Sequence, residues 1–239
     1  MMPVFKTISD DDPLLLTSPI VRGVLQTAKY IDEHGGIDLT KSGAFNRKFV
    51  HWAAAKFDWP GYSEEDLFSV NKVLNEWDFP AVEGIHVLLK ELKFGRHFKG
   101  KFLLTKAGKE LIAHPARLMS QLVPIFLFRM DHGEHLREED QILGNWDIFL
   151  NIINVEADHG ASLTKIRETL YGEPCLDSLF DNIGSVLYVT VLRPLCWAGL
   201  LVEESQSRRS SDRMFQKTEL WRRTLRLDTD RDLRPRILH

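Results

Sequence analysis

The sequence is short of most features that assign a function at sight. Its only cysteines, Cys175 and Cys196, lack C-x-x-C spacing and suit a reduced cytosolic core better than a disulfide scaffold. Long hydrophobic runs are missing as well. The longest, from Leu122 to Phe128, falls well short of the roughly 20 residues that a membrane span needs. Near the N-terminus, Asp10-Asp11-Asp12 and a three-leucine run from Leu14 to Leu16 do not make a secretory signal. Fifteen glycines and ten prolines are too few for a collagen-like or low-complexity chain. No G-x-S-x-G elbow, P-loop or G-x-G-x-x-G turn is present. A net charge of −3 excludes a histone-like polycation. These absences lead to the expectation of a cytoplasmic protein with no membrane association, no cofactor and no enzymatic activity.

What is present is enough to build with. The 239 residues are 44% hydrophobic and 27% charged, which allows one large or two small domains, each with its own core. An internal similarity favours two. Glu33-His34-Gly35-Gly36-Ile37-Asp38-Leu39-Thr40-Lys41 matches Asp158-His159-Gly160-Ala161-Ser162-Leu163-Thr164-Lys165. Glycine past a helix end accepts positive φ and threonine is a good N-cap, so each stretch reads as helix, stop, short extended piece and helix. His34 and His159 take matching places near helix C-termini and read as capping residues.

A second match follows each of these. Residues 80–92 place Val82, Ile85, Leu88, Leu89 and Leu92 on one helical face. Phe94, the basic stretch Gly95 to Lys101 and Phe102-Leu103-Leu104 then read as a hairpin, with Thr105 opening another helix. Later, the apolar segment Leu176 to Trp197 precedes Leu200-Leu201-Val202, a polar tip from Ser205 to Asp212, Met214-Phe215 and a helix opened by Thr218. Between the first unit's early helix, about Ala44 to Phe57, and residues 80–92, a further helix is expected from Glu64 to Asn75. Around it Trp52, Phe57, Trp59, Tyr62, Phe68 and Trp77 read as an aromatic core about the turn Asp58 to Gly61.

The order helix, short strand, helix, helix, hairpin, helix resembles the winged-helix superfamily. Phe102 to Leu111 resembles the junction between wing and helix in bacterial regulators. Residues 37–115 are also similar to an uncharacterised bacterial module with Leu-Thr-Lys-x-Gly, Asn-Arg-Lys-Phe-Val and Trp-Pro-Gly-Tyr-Ser sequences, here at Leu39 to Gly43, Asn46 to Val50 and Trp59 to Ser63. That likeness covers about a third of the chain and implies a fold rather than an activity.

Charge is strongly segregated beneath the small net value. Residues 86–118 hold eight Lys/Arg against two acids, and residues 206–239 ten against five; residues 131–158 hold eight acids and one Arg. Both candidate wings are therefore basic. Arg96, Lys99 and Lys101 on the first, and Arg208, Arg209 and Arg213 on the second, have the chemistry of phosphate contacts to duplex DNA. Charged hairpin tips also serve simply to prevent edge pairing. The helices before the wings are poor readers of bases. Residues 80–92 offer only His86 and Lys90, and residues 176–196 are largely apolar, with Arg193 near the end.

Catalytic and metal readings find little support. Asp131-His132-Gly133-Glu134-His135 lacks H-E-x-x-H spacing and a third fixed ligand, so it reads as a solvated acidic linker and not a metal site. Cys175 has no paired base nearby to activate it.

The expected fold is mainly α with small β-hairpins, as two winged-helix-like modules in tandem. The expected divisions are an N-terminal arm (1–17), domain 1 (18–117), a helical connector with acidic linker (118–140), domain 2 (141–228) and a tail (229–239). The expected function is that of a bacterial nucleic-acid-binding or transcription-associated protein with duplex DNA as partner. The alternative is a non-catalytic interaction scaffold, with a homodimer or another protein as partner.

Overall fold

The computed structural model describes residues 4–137, 142–173, 182–205 and 213–233. The protein is mainly α-helical with small antiparallel sheets. It divides into two units: Ser9–Phe126, and Leu127–His239 together with Met1–Ile8. The first strand, β1 (Val4–Phe5), belongs to the second of these.

In the first unit, the Asp12 carboxylate caps a short 3-10 turn, Pro13–Thr17, by accepting from Leu14 N–H. Helix α1 (Pro19–His34) starts on proline, whose fixed φ and missing N–H suit the first helical position. Ile20, Val24, Ala28 and Ile31 form its buried stripe. Gly35, at φ 66°, ends it and leads into β2 (Ile37–Asp38). Helix α2 (Arg47–Lys56) is capped by Asn46 and α3 (Glu64–Val70) by Ser63. Helix α4 (Pro80–Glu91) buries Val82, Ile85, Leu88 and Leu89. Strands β3 (Gly95–Phe98) and β4 (Lys101–Leu104) form the hairpin, then come α5 (Lys106–Ile112) and α6 (Pro115–Arg129). The sheet order is β2-β4-β3, with Ile37 and His97 both opposite Phe102. Glycine is required at the root of the hairpin, because a Cβ on Gly95 would lie 2.0 Å from the Phe102 ring.

The second unit repeats this order. It contains α7 (Trp146–Glu156), β5 (Ala161–Ser162), α8 (Leu163–Tyr171) and then a continuous helix made of α9 (Ile183–Leu187), a π-helical turn (Tyr188–Leu192) and α10 (Arg193–Trp197). The hairpin β6 (Leu201–Ser205) and β7 (Arg213–Lys217), helix α11 (Glu219–Thr224) and strand β8 (Leu225–Arg226) follow. The sheet order is β5-β7-β6, the same as in the first unit, and β8 pairs with β1.

The likeness extends to single hydrogen bonds. Each helix before a hairpin ends in the same two-bond motif: Phe94 N–H to Leu89 O and Lys93 N–H to Lys90 O in one unit, Leu200 N–H to Leu195 O and Gly199 N–H to Cys196 O in the other. After each hairpin a threonine hydroxyl ties the next helix back to that helix end. Thr105 Oγ1 donates to Lys93 O at 2.8 Å and accepts from Gly108 N–H at 3.1 Å. Thr218 Oγ1 donates to Gly199 O at 2.7 Å and accepts from Trp221 N–H at 3.1 Å.

Several expectations are corrected. The Leu-Thr-Lys match does not open a helix in the first unit: Thr40 closes a turn with Ala44, and Asn46 caps α2 instead. In the second unit the cap is Ser162, two residues before Thr164. Helix α3 ends at Val70 rather than Asn75. Within the expected N-terminal arm, β1 pairs with β8 and Asp10 accepts from Ala116 N–H at the start of α6. Trp77 is 62% exposed and stands outside the aromatic core that holds Phe57 and Trp59.

Lys93 occupies the left-handed position (φ 58°) that Gly199 (φ 78°) fills in the second unit. A side chain costs about 1 kcal/mol there. Lys93→Gly is expected to raise unfolding stability by about 1 kcal/mol in denaturant melts; a loss of stability would contradict this assignment of strain.

Candidate nucleic-acid interface

The first hairpin turns on two residues, Lys99 and Gly100, both with positive φ (47° and 76°). That is the backbone requirement of a tight two-residue turn whose twist matches the strands. The turn is also anchored, since Gly100 O accepts from Leu39 N–H at 2.8 Å. Strand alternation then sorts the side chains. Gly95 and His97 lie on the face shared with Phe102, which is fully buried. Arg96 and Phe98 share the other face. Phe98 is 45% exposed, with the Arg96 guanidinium 5.2 Å and the Lys99 ammonium 5.3 Å from its ring centre. Lys101 stands 3.7 Å from Asp38, so its charge is partly answered.

The second hairpin differs. Arg208 and Arg209 lie outside the described residues. Arg213 is held within its own unit, 3.1 Å from Glu203 Oε1 and 3.9 Å above the Tyr188 ring. The Tyr188 hydroxyl donates to the same carboxylate at 3.3 Å. Burial, with the Glu203 charge adding to it, pushes the Tyr188 pKa up to about 12. Arg213 therefore locks the hairpin to the π-helical turn and is not a free phosphate contact. The structure brings Arg96, Lys99 and Lys101 together on one hairpin.

Behind the first hairpin lies a network that the sequence reading missed. The Glu76 carboxylate accepts from Phe45 N–H and pairs with His86 Nδ1 at 2.6 Å, and His86 Nε2 lies 2.9 Å from His97 Nε2. Glu76 and His86 are both buried, with the His86 ring stacked on Phe45 at 4.0 Å. His86 is thus no reader of bases; it joins the inserted segment, α4 and the hairpin. Burial lowers the His97 pKa, and the nearby His86 and Lys90 lower it further. The only cue was the spacing of His86 and His97 around the end of α4, which does not reveal Glu76.

A second buried network ties the end of the other unit. Lys217 Nζ donates to Asn154 O at 2.7 Å and Asn154 Oδ1 at 3.0 Å, and pairs with Asp158 at 2.8 Å. Trp221 Nε1 also donates to Asn154 Oδ1, and Asn154 Nδ2 donates to Thr229 and Asp230. Burial lowers the Lys217 pKa, against the opposing pull of Asp158.

The exposed side of α4 carries Val87, Lys90 and Glu91, a poor set for base edges. The helix from Ile183 to Trp197 is mostly buried. Among the described residues, no three His, Cys, Asp or Glu side chains group as metal ligands. His34 accepts its predicted place, with Nδ1 3.0 Å from Tyr30 O, while His159 lies 3.7 Å from Asp158. Cys175 lies outside the described residues; Cys196 is buried, which pushes its thiol pKa up and away from a reactive thiolate. Among the described residues, no single helix is long and apolar enough to cross a membrane.

Fold and site together define a mainly α chain of two consecutive helix-and-hairpin units, the first with an exposed basic hairpin. Two family models fall on these units in turn: the Y4jL N-terminal domain on residues 16–117 and the y4jL C-terminal domain on residues 136–219. The uncharacterized protein y4jL of Sinorhizobium fredii (strain NBRC 101917 / NGR234) is 40% identical over 172 residues, covering 72% of this chain and 78% of that protein. No solved structure matches. The chain belongs to the y4jL family.

The lowered His97 pKa has a signed consequence. The folded state binds this proton less readily than the unfolded state, so its stabilising contribution is present above the ordinary imidazole pKa and fades as pH falls below it. Unfolding midpoints are expected to drop between about pH 7.5 and about pH 5.5, and to drop less in His97→Gln, whose amide can still donate to His86. Identical pH profiles for the two proteins would remove His97 from this role.

Proposed function

We propose that this protein binds nucleic acid through winged-helix modules, and that the first hairpin is the contacting wing. One observation carries the reading: Arg96 and Lys99 project from a rigid, exposed hairpin tip whose root is fixed in the core. The element order and the sheet orders β2-β4-β3 and β5-β7-β6 are those expected of a wing packed beside a short strand. Paired cations at such a tip suit phosphate contacts, which supply affinity and salt dependence but no sequence preference. Duplex DNA is the partner first expected, in a bacterial, transcription-associated setting.

A second reading remains for the helix in the recognition position. Val87 is 41% exposed on α4 between few polar readers, which favours a protein partner or a second copy on that face.

Titration of the full chain against labelled duplex DNA over a range of salt concentrations tests the first reading. Arg96→Ala with Lys99→Ala is expected to weaken binding to all sequences alike and to reduce the salt slope by about 2. No salt-dependent binding, or an unchanged slope in the double variant, would overturn it. Sedimentation showing a concentration-dependent dimer broken by Val87→Glu would favour the second reading.

A further inference from the structure

We propose that the tip of the first hairpin is a stacking platform for unpaired nucleotides, so that the preferred nucleic acid has a single-stranded end or gap. The inference rests on the nucleic-acid reading above and names its substrate class. Phe98 is the central observation. In a unit that buries Phe45, Phe49, Phe57, Phe79 and Phe102 almost completely, this ring is left 45% exposed at the last strand residue before the turn.

The ring is held ready. The turn that follows it uses two positive-φ residues and a backbone hydrogen bond from Leu39, so the tip is ordered before any ligand arrives. A platform fixed in advance loses little freedom on binding. The complementary charge lies over the ring itself, with the Arg96 guanidinium and the Lys99 ammonium at cation–π distance, so an incoming base displaces a cation from the ring towards its own phosphates. An aromatic face between cations is the chemistry that receives a base on the ring and its phosphates on the cations, for any base.

The alternatives fit less well. Within a duplex the base faces are covered by their neighbours, so an exposed phenyl ring has no face to meet. The exposed side of α4, with Val87, Lys90 and Glu91, gives no major-groove reading that would make duplex the better target. An anionic membrane would also attract the two cations, but surface helices that insert present a broad apolar face rather than one ring.

The test uses the full chain and three labelled probes: a blunt duplex, the same duplex with a thymidine tail, and an oligothymidine. The tailed duplex and the oligothymidine are expected to bind more tightly than the blunt duplex. Phe98→Ala and Phe98→Leu should weaken the first two by about 5- to 150-fold and leave the blunt duplex nearly unchanged, whereas Phe98→Tyr should restore binding. Because the Phe98 ring is 45% exposed, nearly unchanged thermal melts are expected for all three variants. If blunt duplex binds, depends on Arg96 and Lys99, and no probe responds to Phe98, the platform is wrong while the nucleic-acid reading stands. If no probe binds at low salt, both fall. Binding to phosphatidylglycerol vesicles that needs Phe98, without response to any oligonucleotide, would assign the tip to a membrane and overturn the proposal.

Discussion

One threonine hydroxyl in each unit sets the direction of everything that projects from it. Thr105 and Thr218 each accept from the backbone of the helix they start and donate to the left-handed residue that ends the helix before the hairpin. The strand pair between them is thereby clamped at its root to two helices at once. In the first unit Gly108 makes the clamp possible, because a Cβ there would lie 2.1 Å from Phe94 O. A hairpin of four-residue strands would be only marginally stable alone. Fixed at the root, and paired along β4 with β2, it becomes a rigid arm.

The two arms share a scaffold and not a chemistry. In the second unit, Arg213, one of three arginines with the chemistry of a phosphate contact, is turned onto Glu203 and Tyr188 and serves the packing of the π-helical turn. In the first unit, Arg96 and Lys99 lie over an exposed ring, Lys101 pairs with Asp38, and the polar chain of the buried Glu76 and His86 reaches the exposed His97 of the same strand. Buried polar groups are tolerated where every partner is in place. This chain stiffens the strand from beneath while Arg96 and Phe98 face outwards.

The sequence made the helices and hairpins legible where periodicity and caps agree: α4 with its apolar stripe, the glycine-bearing tip at Gly100, and the threonines after each hairpin. It was less informative where two signals compete. Leu-Thr-Lys looks the same in both units, yet only side-chain capping by Asn46 and Ser162 decides where each helix begins. The first unit carries a turn between Leu39 and Phe45 that the second lacks. Charge counts found the basic segments but could not tell a free cation from a paired one, which is why Arg96 and Arg213 looked alike. Lys217 counted towards that basic segment although its side chain is buried against Asn154 and Asp158. Contacts between residues far apart in the chain, such as Glu76 with Phe45, leave no local pattern to read.

The central claim is that the first hairpin, and not the helix before it, meets nucleic acid. A nitrogen-15 NMR titration of the full chain with a tailed duplex addresses this residue by residue. The account predicts that the largest amide shifts fall between Arg96 and Lys101, with the exposed side of α4 little changed. Largest shifts along Val87 to Glu91, or no shifts in the hairpin under conditions of binding, would contradict it.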